Sequence, residues 1–384
     1  MRAGESLISI NFRSKFVQTF FWWSILILLT FQIRYYDIYI PKEKIVFRDF
    51  KYILGCSGFK VEDLECTDYL YGGFLRYFLD QITIFHPYTV QVVVAVICIS
   101  WFPLAYLFVQ IEKISFKLLL LVLFLSPSIG LLIQRGNLDI LIFSLCWVAI
   151  KFFIRGKITV SLILVLLASS FKIYPIALLI LLVGFALFKK VSPVAKVFWL
   201  ILTGFALWLA LTDVRNIPWL PSDARNSFGL RIFGEYFTYL FSGSGYQMLP
   251  LLGILLGLFI FLILISLFNS SKVNKLYPQF KPSIETLIWF LFFLAIFVSG
   301  VSIDYRLLFL LPSLPLLTSL NKTSSYAVMF LFFLSFYLSF PFEILQVAGD
   351  VSLFLLLSFK VVLLYKNRES IFRECRLWRL GTNR

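Results

Sequence analysis

The chain alternates between long apolar runs and short polar breaks almost from end to end. A helix crossing the roughly 30 Å hydrocarbon of a bilayer needs about 20 apolar residues at about 1.5 Å of rise each. Windows of that kind predict twelve spans, at about 17–33, 88–110, 117–133, 138–154, 158–170, 172–188, 194–211, 248–268, 284–300, 306–320, 325–341 and 350–365. Several are short, and the neighbours 158–170 and 172–188 are also readable as one bent element, so the count holds to within about two. The pattern predicts an all-α polytopic membrane protein with a single membrane domain over 1–384. The longest polar passage is 34–87, and a second long connection covers 212–247.

Charge orients these elements. With the N-terminus in the cytoplasm, 21 of the 35 Lys and Arg residues fall on inside segments, 13 fall outside, and Lys360 lies within a span. Of the 20 acids, 15 fall outside, which agrees with the bias of Lys and Arg towards the cytoplasmic side. Inside connections are short and basic, such as Arg155-Gly156-Lys157 and Lys189-Lys190. Every long or unusual connection falls outside. The basic segment 366–384 is expected to lie on anionic headgroups. Asn269-Ser270-Ser271 and Asn321-Lys322-Thr323 match glycosylation acceptors but fall on the inside, which discounts them.

Composition supports the membrane reading and excludes some functions. The chain is 60% hydrophobic and only 14% charged, against about 25% charged in soluble domains. The 45 Phe and 18 Tyr suit lipid-facing surface and interfaces. A net charge of +15 would point to nucleic acid in a soluble protein. Here the cations flank spans, so membrane lipids and no nucleic acid are the expected partners. The first span has Arg13 and Lys15 before it and lacks a small-residue cleavage site, so it reads as uncleaved. The five Cys show no metal-binding spacing and His86 is the sole histidine, so no metal or cofactor is expected. Cys56 and Cys66 could pair if the 34–87 loop faces an oxidising compartment.

The candidate chemistry lies on the outer side. The 34–87 loop holds Asp37, Glu43, Asp49, Glu62, Asp63, Glu65, Asp68 and Asp80. Most of these acids read equally well as solvated charges. Asp49, in Phe47-Arg48-Asp49-Phe50, stands out because apolar neighbours would anchor it at the interface while Arg48 keeps it ionised. Asp37 is the alternative base. In Gln134-Arg135-Gly136-Asn137-Leu138-Asp139, Asn137 can cap the following helix and Asp139 can sit in its first turn. Those residues also suit a plain hairpin cap, but Arg135 at a membrane edge is costly without a partner. Lys172-Ile173-Tyr174-Pro175 and Ser302-Ile303-Asp304-Tyr305-Arg306 bring further cations to the same side. A snorkelling lysine and an internal Asp304–Arg306 pair are the plainer readings. Three cations converging on one face would suit a phosphate.

On these residues the chain resembles the polyprenyl-phosphate-dependent membrane glycosyltransferases of the GT-C superfamily. The likeness is to a bacterial branch of unknown-function proteins near the α-1,2-mannosyltransferases. It covers most of the chain and rests on Arg48-Asp49-Phe50, Gly55-Cys56, Cys66-Thr67-Asp68, Arg135-Gly136-Asn137-Leu138-Asp139, Lys172-Ile173-Tyr174-Pro175, Ser227-Phe228-Gly229 and Asp304-Tyr305-Arg306. It departs at Tyr71-Gly72-Gly73-Phe74, where the family usually carries a Tyr-Pro pair. The resemblance implies a GT-C-like fold in a bacterial cell membrane. It also implies transfer of a sugar, mannose being the family's commonest, from a polyprenyl-phosphate donor to a lipid or glycan acceptor of the cell envelope, with inversion. Asp49 would then be the base, and Arg135, Lys172 and Arg306 would bind the donor phosphate. Asn137, Asp139, Asp68, Tyr305 and Asp304 would contact substrate. A transporter or flippase of a lipid-linked saccharide, or a non-catalytic assembly subunit, are the rival expectations. One-sided polar investment speaks against alternating access.

Overall fold

The computed structural model describes residues 15–30, 89–111, 114–126, 129–130, 132–133, 137–187, 192–215, 227–228, 283–298 and 302–313, with isolated helical positions at 331, 348–349, 351–352 and 355–356. The 34–87 loop, the tail 366–384, the span expected at 248–268 and most of 212–247 lie outside the described residues. So do the spans expected at 325–341 and 350–365, apart from those isolated positions.

The described residues are all-α, with one two-residue ladder. In chain order they form α1 (residues 15–30), α2 (Thr89–Ser100), α3 (Phe102–Gln110), α4 (Ile114–Phe124), α5 (Asp139–Ile154), α6 (Ile158–Phe171), α7 (Ile176–Leu187), α8 (Pro193–Arg215), β1 (Ser227–Phe228), α9 (Ile284–Val298), β2 (Ser302–Ile303) and a 3-10 helix (Asp304–Ser313). They fall into two units, Met1–Val148 and Ala149–Arg384, whose boundary lies inside α5 rather than in a linker.

Among the described residues no helix is long and apolar enough to cross a membrane. Two of the expected runs depart from an unbroken α-helix where the backbone is described, and each departure contains a proline. The run at 88–110 becomes α2 and α3, separated at Trp101 with Pro103 in the first turn of α3. Proline has no N–H to continue the ladder, and its ring clashes with the carbonyl four residues back. The run at 306–320 begins instead as a ten-residue 3-10 helix with Pro312 inside it. A stretch of that length is unusual, since 3-10 turns commonly run three or four residues. Among the described residues the longest helix is α8, at 23 residues.

In the first unit, side chains stitch the α2/α3 break. The Trp23 indole N–H donates to the Cys98 carbonyl at 2.7 Å. The Ser144 hydroxyl donates to the Ser100 carbonyl at 2.6 Å. Rings close the surroundings: Trp22 stacks on Phe108 with centroids 4.7 Å apart, and Trp101 meets Phe124 edge-on at 4.8 Å.

In the second unit, α5 ends in a Schellman turn. Gly156 takes φ 81°, Gly156 N–H donates to Phe153 O at 3.0 Å, and Lys157 N–H donates to Phe152 O at 3.0 Å. Only glycine adopts that backbone without a Cβ penalty, so the short basic turn is well specified. Helix α7 packs against α6, α8 and α9, and α9 packs against the 3-10 helix. On α6 the inward face carries Ser161, Leu162, Val165, Ala168 and Ser169, while Val160, Ile163 and Leu167 face out. On α8, Thr203 is buried while Val197, Phe198, Ile201, Phe205 and Trp208 are exposed. Two of the buried hydroxyls are satisfied locally, Ser169 donating to Val165 O at 2.8 Å and Thr203 to Trp199 O at 2.8 Å, whereas the buried Ser161 hydroxyl finds no hydrogen-bond partner among the described residues. The inward faces mix small hydroxyls with apolar residues such as Leu162, Val165 and Trp199, and the outward positions named are large and apolar.

Candidate functional site

Both units hold segments expected to carry chemistry. In the first, the start of α5 is built as its residues imply. The Asp139 N–H donates to Asn137 Oδ1 at 3.0 Å, and Asp139 occupies the first helical turn, where the dipole favours a carboxylate. Both side chains are buried, Asp139 completely. This is the geometry of an enclosed helix cap. Cys146 lies seven residues further on, two turns along the same face of α5, and is also buried.

The second unit gathers three segments. Lys172 follows the last residue of α6 in extended backbone (φ −145°, ψ 152°), and its N–H donates to Ala168 O at 3.3 Å. The turn closes as Ile176 N–H donates to Ile173 O at 3.0 Å and Leu178 N–H to Pro175 O at 2.9 Å, which starts α7. Pro175 suits that place, because a helix start has no use for its missing N–H. Lys172 is 5% exposed, so its aliphatic stem and ammonium are enclosed by protein rather than extended to solvent.

Two residues on, Tyr174 anchors the turn. Its ring lies 6.4 Å from Phe292 of α9 and 5.5 Å from Phe309 of the 3-10 helix, and those two rings meet edge-on at 5.7 Å. Phe292 and Phe309 are fully buried, whereas Tyr174 is half-buried. Phe309 stands one 3-10 turn after Arg306, so the cluster ties the Lys172 turn to the helix that Asp304, Tyr305 and Arg306 open. Immediately before that helix, Ser302 and Ile303 pair antiparallel with Phe228 and Ser227. The segments around Lys172, Ser227 and Asp304, far apart in sequence, thus belong to one packed region.

Other expected site residues are not covered. Asp49, Asp37, Asp68 and Arg135 lie outside the described residues, as do Cys56 and Cys66. For Asp304, Tyr305 and Arg306 the description reaches the backbone only. Among the described residues no three His, Cys, Asp or Glu side chains group in a way that could hold a metal ion.

Two features were missed by reading the sequence alone. The first is the aromatic anchor at Tyr174, whose partners lie more than 100 positions away and leave no periodic trace. The second is an ion pair between Lys151, in the last turn of α5, and Glu285, in the first turn of α9, with Nζ 2.6 Å from Oε1 and 2.8 Å from Oε2. Each is a lone charge at the edge of an apolar run, and that was the available signal. No protein-family model, curated protein or solved structure matches the chain.

Proposed function

We propose that the chain is an integral, multi-pass membrane glycosyltransferase of GT-C-like architecture with about twelve spans. It moves a sugar from a polyprenyl-phosphate carrier to an acceptor hydroxyl on the extracytoplasmic face. The observation that carries the reading is the packing of the buried Lys172 turn, through Tyr174 and Phe309, onto the helix that begins with Asp304-Tyr305-Arg306. An enclosed cation on a turn tied to a helix that opens with an arginine suits a departing phosphate, because charge builds there as the sugar leaves.

In the reaction, the acceptor oxygen attacks the anomeric carbon as the bond from that carbon to the phosphate oxygen breaks, inverting the configuration. Asp49 takes the acceptor's proton. Lys172, Arg306 and Arg135 hold the released polyprenyl phosphate, the arginines in bidentate fashion. The donor needs no metal in this scheme, since cationic side chains supply the compensating charge.

Sidedness supports the membrane part of the reading. The Lys151–Glu285 pair joins two residues that charge assigns to the cytoplasmic side. Lys196 Nζ donates to Leu187 O at 2.9 Å, and the Trp199 indole donates to Thr159 Oγ1 at 3.3 Å, again joining residues of that side. Tyr174 and the 3-10 helix share the other. The apolar outward faces of α6 and α8 also suit lipid.

The test is purified protein in lipid vesicles, given a radiolabelled polyprenyl-phospho-sugar and an acceptor extract. Transfer of label by the parent and its loss in Asp49→Asn are expected. Equal transfer by Asp49→Asn removes Asp49 as base, and movement of the lipid-linked sugar across the bilayer without bond formation replaces the enzyme with a flippase.

A further inference from the structure

The Lys151–Glu285 pair stands at the start of α9, two turns before the Phe292 ring that meets Tyr174 near the middle of the helix, and buried side chains lie between the two. Glu285, Trp289 and Phe292 occupy positions i, i+4 and i+7 and so share one face of α9. Trp289 and Phe292 are fully buried, with ring centroids 6.2 Å apart. Phe292 then meets Tyr174 and Phe309. From Glu285 to Phe292 the helix rises about 10 Å. After Thr286, α9 reads Leu287 to Val298 without a polar residue. An apolar helix among apolar neighbours gains little from any one register along its axis, because dispersion is not directional. A two-oxygen ion pair is directional. Its partners are only 17% and 28% exposed, and each sits at the helix end whose dipole favours it.

We propose that Lys151 and Glu285 are positioning residues: by pinning the start of α9 to the end of α5, they set the height at which Phe292 meets Tyr174, and so the pose of the Lys172 turn. The link to catalysis rests on the glycosyltransferase reading, whereas the positioning itself does not.

The experiment uses the full chain in lipid vesicles with 3-fluorotyrosine at position 174, comparing the parent with Lys151→Met, Glu285→Gln and the reversed pair Lys151→Glu with Glu285→Lys. Two quantities are read: the fluorine resonance, and kcat and KM for a polyprenyl-phospho-sugar. Each single change is expected to move the resonance and to raise KM on the order of five-fold, the scale of a partly exposed ion pair, while kcat stays within about two-fold. The reversed pair is expected to recover part of both effects, held short of the parent by charges that now oppose the two helix dipoles. That recovery separates positioning from general damage to the fold. If both single variants leave the resonance and KM at parent values, the proposal is overturned, as it is if the reversed pair recovers neither. A parent that transfers no sugar, with the resonance responding as expected, overturns the glycosyltransferase reading and keeps the positioning role.

Discussion

Two breaks that contain a proline can be compared, one at Trp101–Pro103 in the first unit and one at Lys172–Pro175 in the second. Around the first, the Cys98 and Ser100 carbonyls receive neutral donors from Trp23 and Ser144, and the site closes with stacked rings. Around the second, the ladder is completed by its own backbone turn, a half-buried tyrosine is held by two phenylalanines, and a lysine is enclosed. The first break shows that hydroxyl and indole donors satisfy a kink without any ionic group. The second encloses an ammonium as well, and burying a charge costs free energy. In the proposed reading the first break serves the fold and the second presents its cation to the donor phosphate.

Substitutions that act unequally on the two breaks sharpen this contrast. The largest effect is expected from Lys172→Met, which keeps the stem and removes the charge. Sugar transfer should fall on the order of 100-fold, the usual loss when one group stabilising transition-state charge is removed. Thermal unfolding in detergent should change little, which distinguishes a ligand role from a packing one. Next comes Tyr174→Ala, which leaves Phe292 and Phe309 without their partner. A loss of roughly 2–3 kcal/mol in stability is expected for emptying a half-buried aromatic site. Tyr174→Phe keeps the ring and should stay near the parent in stability. The smallest effect is expected from Ser144→Ala at the first break, where one neutral hydrogen bond is lost. Stability should drop by about 1 kcal/mol and transfer should remain at the parent rate. A fall in transfer equal to that of Lys172→Met would erase the distinction between the breaks.

Much of the local structure was legible in the chain because it depends on neighbours. Asn137 and Asp139 announce the start of α5 by capping chemistry, and Gly156 announces its end by its backbone freedom. The helical class follows from the apolar runs. The interruptions were harder to read, since a hydropathy window averages over Pro103 and Pro312 and credits the flanking residues to a single span. The same averaging makes 306–313 the start of an expected α-helical span, where the backbone is 3-10 from Asp304 to Ser313. The site was legible as segments but not as an arrangement. Lys172, Ser227 and Asp304 are polar islands in the sequence, yet what joins the first to the third is Tyr174 against Phe292 and Phe309, and what joins the second to the third is a two-residue ladder. Nothing in spacing marks one phenylalanine among 45 as a partner. The Lys151–Glu285 pair escaped for the same reason, being an agreement between two distant charges.

The most direct test of the account is transfer of label from a polyprenyl-phospho-sugar by the full chain in sealed vesicles, measured side by side for the parent, Lys172→Met and Ser144→Ala. The account predicts transfer by the parent and by Ser144→Ala at similar rates, and a loss on the order of 100-fold in Lys172→Met. Transfer by Lys172→Met at the parent rate, or none by the folded parent, would contradict it.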